Sequence, residues 1–577
     1  MIFRGVHRWV CFAILTALLA GWGSGLGEPA QATRNPVSAA AAITDPQPLT
    51  PQEKARLQGY IRAATLPDLR WLDFQKYQPA VKKFYDSTGG DLAWVRDLKP
   101  SPQARAIIAL LENAESDGLR PEDYDGPRWD ERLAMFEHRA PSGDELVRFD
   151  LAVTISAMRY VTALHNGRVD PRLLRFEIGI HRKKFDVSDF LRRKVVNAQD
   201  VRAAVESAGP SFPAYRRTLA ALKTYLELAR QDNRKPLPVP RRTIDPGDQY
   251  AGLPSLVRLL VLLGDLPKAA ENQGSGLTYE GDLVEGVKHF QERHGLEVDG
   301  RIGRRTLRAL NTPLSRRVAQ LQLTLERWRW MPHGLAPPLI VVNIPEFRLH
   351  ALDKEYHEVL SMKVVVGKAY RHKTPVFVST LTSVILRPYW NVPLSIQLRE
   401  LLPDIRKNPS YLTENDYEVV DSAKDVVSEG PVSSEIMEQL RTGALSIRQR
   451  PGSKNALGLI KFEFPNQFSV YMHGTPAMVL FSKSRRDFSH GCIRVEDPVA
   501  LALWALHEKP EWDLEHIQAA MDGEDTIRAN PKKSINVLIV YSTAVATEEG
   551  EAHFFNDIYG YDAALEQALR EEYPYPR

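Results

Sequence analysis

Hydrophobic and polar positions divide the chain into regimes with different periods. Across residues 51–241 apolar side chains recur at three- and four-residue intervals, the pattern of helices with one buried face. The segment SPQARAIIALLENAESDG is the clearest case. Ser101 can cap it, Pro102 suits the first helical position, Ile107, Leu110 and Leu111 share a face, and Gly118 ends it. Residues 149–165 read as a second, long apolar helix stopped at Asn166-Gly167, and 215–231 as a third. Residues 242–252 carry Pro and Gly and read as a connector. Residues 253–311 then form a compact module. Its helices span 256–263 and 281–294, with Leu283, Val287 and Phe290 on one face; a tight turn at 295–300 leads into a third helix from Ile302. His289 and His294 are expected on the solvent side.

The period changes near Leu339. LIVVNIPEFRLHAL and HEVLSMKVVVGKA alternate and are rich in β-branched residues, so they read as strands. Thr374-Pro375 marks a turn, and 377–386, 468–473 and 534–541 read as further strands. Residues 498–507 read as a helix under the sheet. Residues 394–450 interrupt the strands with helical, charged sequence. An insertion of that length in a sheet is often a lid or binding loop. The fold class expected is therefore α+β and multidomain.

Length and charge narrow the function. A chain of 577 residues exceeds one core. A net charge of +3 without long basic or acidic blocks argues against a nucleic-acid partner. Residues 1–32 read as a secretory signal: Arg4, His7 and Arg8 precede an apolar run from Trp9 to Ala20, and Ala30-Gln31-Ala32 supplies small cleavage-site residues. The run is short for a membrane span, so attachment to a membrane would come only through an uncleaved signal. Residues 33–50, rich in Ala, Pro and Thr, read as a linker. Cys11 lies inside the signal without a lipobox before it, which argues against a lipoprotein. Cleavage leaves Cys492 unpaired, a notable thiol in an exported protein.

The candidate chemistry gathers in YMHGTPAMVLFSKSRRDFSHGCIRVEDP, residues 471–498. His473, His490 and Arg494 give Cys492 the base and the electropositive setting that a thiol nucleophile needs. Gly491 allows a sharp turn and close approach of substrate, with backbone N–H groups available to an oxyanion. Two other readings of the residues stand beside this one: a buried, inert cysteine, and a zinc site from His473, His490 and Cys492.

HGTP followed by SHGCIR resembles the L,D-transpeptidase family with its YkuD-type catalytic domain, the matching positions being His473, Ser489, Gly491, Cys492, Ile493 and Arg494. The resemblance implies that Cys492 is the acylated nucleophile and His473 the general base, with Gly491 in the oxyanion hole and His490 a shaper of the site. Arg494, Ser489, His490, Tyr471 and Trp390 are the expected substrate contacts. IVVNIPEFRL, Gly367 with Thr374-Pro375, and Trp390-Asn391-Val392-Pro393 resemble the large YcbB-type branch, as does the order of FYDSTGGDLAWV, DGLRPEDYD and HNGRVDP in the helical region. VKHFQERHGLEVDGRIGRRTLRAL resembles a peptidoglycan-binding three-helix bundle. The implied layout is a scaffold at 51–241, a peptidoglycan-binding domain at 253–312 and a catalytic domain at 338–562, with a lid at 394–450. The implied activity is periplasmic formation of 3→3 cross-links between peptidoglycan stems, with release of D-Ala and no metal or organic cofactor. A hydrolase using the same dyad is the alternative. Other cell-wall synthesis proteins are expected partners.

Overall fold

The computed structural model describes residues 46–178, 185–270, 278–332 and 335–571. The expected signal at 1–32, with Cys11, and most of the linker lie outside the described residues. Among the described residues no helix is long and apolar enough to cross a membrane.

The N-terminal region is helical. Helix Gly143–Asn166 is buried over most of its length, and Pro51–Ala63 and Pro102–Glu112 pack on it. It starts earlier than the apolar pattern alone indicates. Ser142 and Glu145 form a capping box that satisfies the first free N–H groups, so the chain turns helical before its first apolar residue. Ser101 caps Pro102–Glu112 by accepting the N–H of Ala104 at 3.1 Å.

Helices Leu253–Leu263, Asp282–Arg293 and Arg304–Leu310 enclose a separate core of Leu256, Val287, Phe290 and Leu310. Gln291 is buried here and accepts the Gly300 N–H at 2.8 Å, which pins the turn between the last two helices. Of the two histidines, one departs from expectation. His294 is 4% exposed and stacks between Phe290 and Phe554, because this end of the module docks onto a hairpin formed by Ala544–Ala546 and Ala552–Phe554. Arg293 completes the junction: it pairs with the buried Asp265 and donates to the Ala552 carbonyl at 3.1 Å. His289, still partly exposed, reaches Asp265 and Glu551.

A further helix, Leu314–Trp330, runs along Pro213–Gln231 and against the same hairpin. Gln320 donates to the carbonyls of Thr543 and Phe555, and Arg327 pairs with Asp562 at 2.7 Å in a site closed to solvent. This helix therefore fastens the helical region to the C-terminal domain.

The C-terminal domain is built on one large sheet. From one edge its strands run Ile527–Ala529, Ser383–Leu386, Ile460–Glu463, Met472–His473, Ile493–Val495, Glu358–Gly367, Arg348–Leu352, Leu339–Asn343, Ile535–Val540 and Phe377–Leu381, with Asp487–Ser489 paired to Glu358–Gly367. Phe377–Leu381 and Ser383–Leu386 lie near opposite ends of that order yet are joined by Thr382 alone. Only a sheet curled back on itself permits that connection, and the twist of adjacent strands supplies the curl. The single strand expected at 377–386 is thus two.

Residues 390–449 form a substructure with its own core of Val392, Leu401, Ile405, Val419, Leu440 and Ile447. The helical expectation for 394–450 is incomplete. Tyr417–Val420, Val426–Ser428 and Ser446–Gln449 join Trp390–Asn391 in a four-stranded sheet, their short apolar runs being too brief to register as a period. A π-helical turn, Gln397–Leu401, lies beside it. Buried Gln397 locks that turn by donating to the carbonyls of Leu440 and Leu445 and accepting the N–H of Ile447.

Candidate active site

The site forms where three short strands meet. Met472–His473 runs parallel to Ile493–Val495, with His473 opposite Arg494, and antiparallel to Ile460–Glu463, with His473 opposite Lys461. Opposed residues share a face, so Lys461, His473 and Arg494 form a row across the sheet. The two-residue period places Tyr471 and Cys492 on that face, one step along from His473 and Arg494. The structure thus gathers Cys492, His473, Arg494 and Tyr471, and adds Lys461, which the sequence analysis did not single out. The alternation of IKFE was the available signal: Lys461 and Glu463 occupy the face opposite Phe462, a core residue.

His473 is buried, 4% exposed, and its Nδ1 lies 2.6 Å from the Gly474 carbonyl. A carbonyl only accepts, so Nδ1 carries the proton and Nε2 keeps its lone pair in the neutral ring. Burial lowers the imidazole to about 3, with Arg494 and Lys461 adding to the effect and the carbonyls of Gly474 and Leu457 opposing it. Burial also raises the Cys492 thiol; Tyr471, through main chain and hydroxyl, together with Lys461 and Arg494, pulls it back. Both shifts favour the uncharged forms, a neutral imidazole at His473 and a neutral thiol at Cys492, on one face of the sheet.

The turn before Cys492 is held from several sides. Gly491 has φ of 121°, a conformation that a side chain would strain. Its carbonyl accepts from Thr374 Oγ1 at 2.8 Å, and that oxygen accepts from the Gly367 N–H at 2.9 Å. The Tyr559 hydroxyl donates to the Gly367 carbonyl at 2.6 Å and accepts from the Thr374 N–H. Thr374 and Tyr559 were not anticipated as part of the site. Their signals were the Thr-Pro after Gly367 and the aromatic FFNDIYGYD segment near the end of the chain.

Two expected roles change. Ser489 is buried, its hydroxyl donating to the Cys492 carbonyl at 2.6 Å and accepting from the Gly491 N–H at 3.0 Å. It clamps the turn and has no proton left for substrate. For the same reason the Gly491 N–H faces Ser489 and is not directed at an oxyanion, whereas the Cys492 N–H has no hydrogen-bond partner among the described residues. His490 Nε2 lies 2.6 Å from Glu400 Oε1, on the π-helical turn of the insertion. Trp390 is half-buried and hydrogen-bonds Tyr471, while Lys461 Nζ sits 4.4 Å from the centre of the Tyr471 ring. Among the described residues no group of three or more His, Cys, Asp or Glu side chains is placed to hold a metal ion. Arg494 Nε is buried without a hydrogen-bond partner, and the side chain forms no ion pair among the described residues.

Comparison with known proteins matches three parts of the chain. Residues 337–513 match the YkuD model, described as "L,D-transpeptidase catalytic domain". Residues 260–310 match a "Putative peptidoglycan binding domain", and 79–222 a "Scaffold domain". A Haemophilus influenzae protein named "Putative L,D-transpeptidase" is 33% identical over 229 residues, which is 40% of this chain and 45% of that protein. The match thus spans less than half of the curated relative's length. The chain carries a YkuD L,D-transpeptidase catalytic domain and a peptidoglycan-binding domain, with a helical scaffold region before them.

Proposed function

We propose that the protein is an L,D-transpeptidase that forms 3→3 peptidoglycan cross-links through a thioester on Cys492. The observation that carries this reading is the partly exposed Cys492 one register step from a neutral, tautomer-fixed His473, within the domain matched to L,D-transpeptidases. His473 Nε2 takes the thiol proton as the sulfur attacks the carbonyl of the diaminopimelate L-centre in a tetrapeptide stem. The Cys492 N–H is the backbone donor for the oxyanion; one such donor typically supplies about 3–4 kcal/mol. Collapse breaks the C–N bond, and His473 returns the proton to the departing D-Ala amine. The diaminopimelate amine of a second stem then attacks the thioester, the C–S bond breaks, and the thiol is restored. Arg494, charged, unpaired and on the same face, is suited to a carboxylate of the donor stem. Tyr471 and Trp390 form the wall beside the thiol. The remaining parts fit work outside the cytoplasm, in the periplasm: the bundle brings the domain to the wall, and the insertion at 390–449 acts as the lid.

Incubating the protein with disaccharide-tetrapeptide tests the reading. A cross-linked dimer that has lost one D-Ala, absent with Cys492→Ala, is the expected product by mass spectrometry. Tripeptide without dimer would instead assign a carboxypeptidase, and equal activity in Cys492→Ala would overturn the cysteine mechanism.

A further inference from the structure

Beside the thiol, and apart from the Lys461–His473–Arg494 row, lies a second group of basic side chains. His372 and His490 have ring centres 4.9 Å apart. Lys368 donates its N–H to the Ser489 carbonyl at 3.0 Å, and Arg399 adjoins Glu400, which reaches His490, so both lie beside this histidine pair; after burial and His490, they help hold the His372 imidazole below its ordinary value. Lys368 and His372 come from the loop after Glu358–Gly367, and Arg399 from the π-helical turn of the insertion. Neither Lys368 nor Arg399 has an ion-pair partner among the described residues. The carboxylate placed in this group is that of Glu400, 2.6 Å from His490 Nε2, on a side chain 49% exposed. A carboxylate thus meets this basic rim at His490, beside the unmatched Lys368 and Arg399, delivered by a turn that Gln397 fixes in place.

We propose that Lys368, His372, Arg399 and His490 form a subsite for the carboxylate of the acceptor stem, with Glu400 seated where that carboxylate binds. The inference rests on the transpeptidase reading and adds how the second substrate is chosen. In diaminopimelate the attacking amine and a carboxylate share one carbon, so gripping the carboxylate aims the amine at the thioester on Cys492. Nearby cations also disfavour the ammonium form, and only the neutral amine is a nucleophile. Water carries no such handle, so the rim favours cross-linking over hydrolysis. Donor and acceptor are then separated by position: Arg494 serves the first stem and the rim serves the second.

The test uses the full chain, a tetrapeptide donor, and two tripeptide acceptors that differ only in a free or an amidated carboxylate beside the diaminopimelate amine. D-Ala release reports acylation, and the dimer-to-tripeptide ratio reports the acceptor step. The wild type is expected to prefer the free carboxylate, and Lys368→Ala with Arg399→Ala to raise the KM for that acceptor about tenfold, the scale of one lost charge-assisted contact. In the same variants the KM for the amidated acceptor stays as it was. Glu400→Gln, which removes the competing carboxylate, is expected to lower the KM for the free-carboxylate acceptor. Equal use of the two acceptors by the wild type would overturn the subsite, as would a Lys368→Ala/Arg399→Ala loss falling equally on D-Ala release, which would place the donor there. A Glu400→Gln variant with a raised acceptor KM would assign Glu400 to support of the loop instead. Failure of the wild type to release D-Ala at all would remove the parent reading, and is distinct from each of these.

Discussion

Thr374 Oγ1 donates a 2.8 Å hydrogen bond to the carbonyl of Gly491, the residue next to the thiol. The same oxygen accepts the Gly367 N–H, so one buried hydroxyl joins the end of a central strand to the catalytic turn. Thr374→Val keeps the shape and removes the hydroxyl, stranding a buried acceptor and a buried donor. A group left unpaired in this way costs about 1–3 kcal/mol. Lower thermal stability and slower acylation of Cys492 are expected, with Thr374→Ser retaining most of both. Thermal unfolding and a single-turnover acylation assay check this.

Gly367 meets a harder limit. A Cβ there would lie 1.8 Å from the His372 carbonyl oxygen, a backbone atom that cannot swing aside. Gly367→Ala is expected to displace the loop carrying Lys368 and His372, at a cost of several kcal/mol, roughly 3 or more, in the range of severe core substitutions. Chemical denaturation measures it; stability equal to the wild type would refute the close approach.

The low imidazole of His473 makes a prediction about pH with a definite sign. In the unfolded chain this histidine titrates near the ordinary imidazole value of 6.5, whereas in the native protein it is lowered to about 3. The unfolded state therefore binds more protons between those values. The contribution to stability is fully present above the unfolded value and is lost progressively as pH falls from 6.5 towards 3. Denaturation curves for wild type and His473→Gln at neutral and mildly acidic pH should show a weaker acid dependence in the variant. The acid limb of kcat/KM should correspondingly lie below that of a free imidazole.

The junction of the bundle with the catalytic domain predicts a non-additive pair. Arg293 and Asp265 form a buried ion pair, and Arg293 also reaches Ala552. Arg293→Met alone leaves Asp265 charged and buried, which typically costs about 3–5 kcal/mol. Arg293→Met with Asp265→Leu should recover much of that loss. A double-mutant cycle in denaturant measures the coupling, and additive losses would contradict it.

Much of this molecule is legible along the chain. The helical and strand regions follow from the change of apolar period at Leu339, and the helix limits from Ser101, Pro102 and Asn166-Gly167. Cys492, His473 and Arg494 are picked out by the resemblance of HGTP and SHGCIR to the L,D-transpeptidase pattern. These features are local: period, capping and turn chemistry act within a few residues, so the order of side chains is enough to determine them.

What only the tertiary structure decides is which distant groups share a face or a hydrogen bond. Lys461 enters the site because its strand pairs in register with that of His473. Thr374 and Tyr559 support Gly491 and Gly367 across the curled sheet, and Glu400 reaches His490 from a separate substructure. His294 becomes buried because the bundle docks on the Ala544–Phe554 hairpin, although its helix position alone suggested solvent. Ser489 and Gly491 exchange their expected roles at substrate for a bond to each other. Strand register and domain docking are set by the packing of whole faces, a sum over many weak contacts that no short stretch of sequence contains.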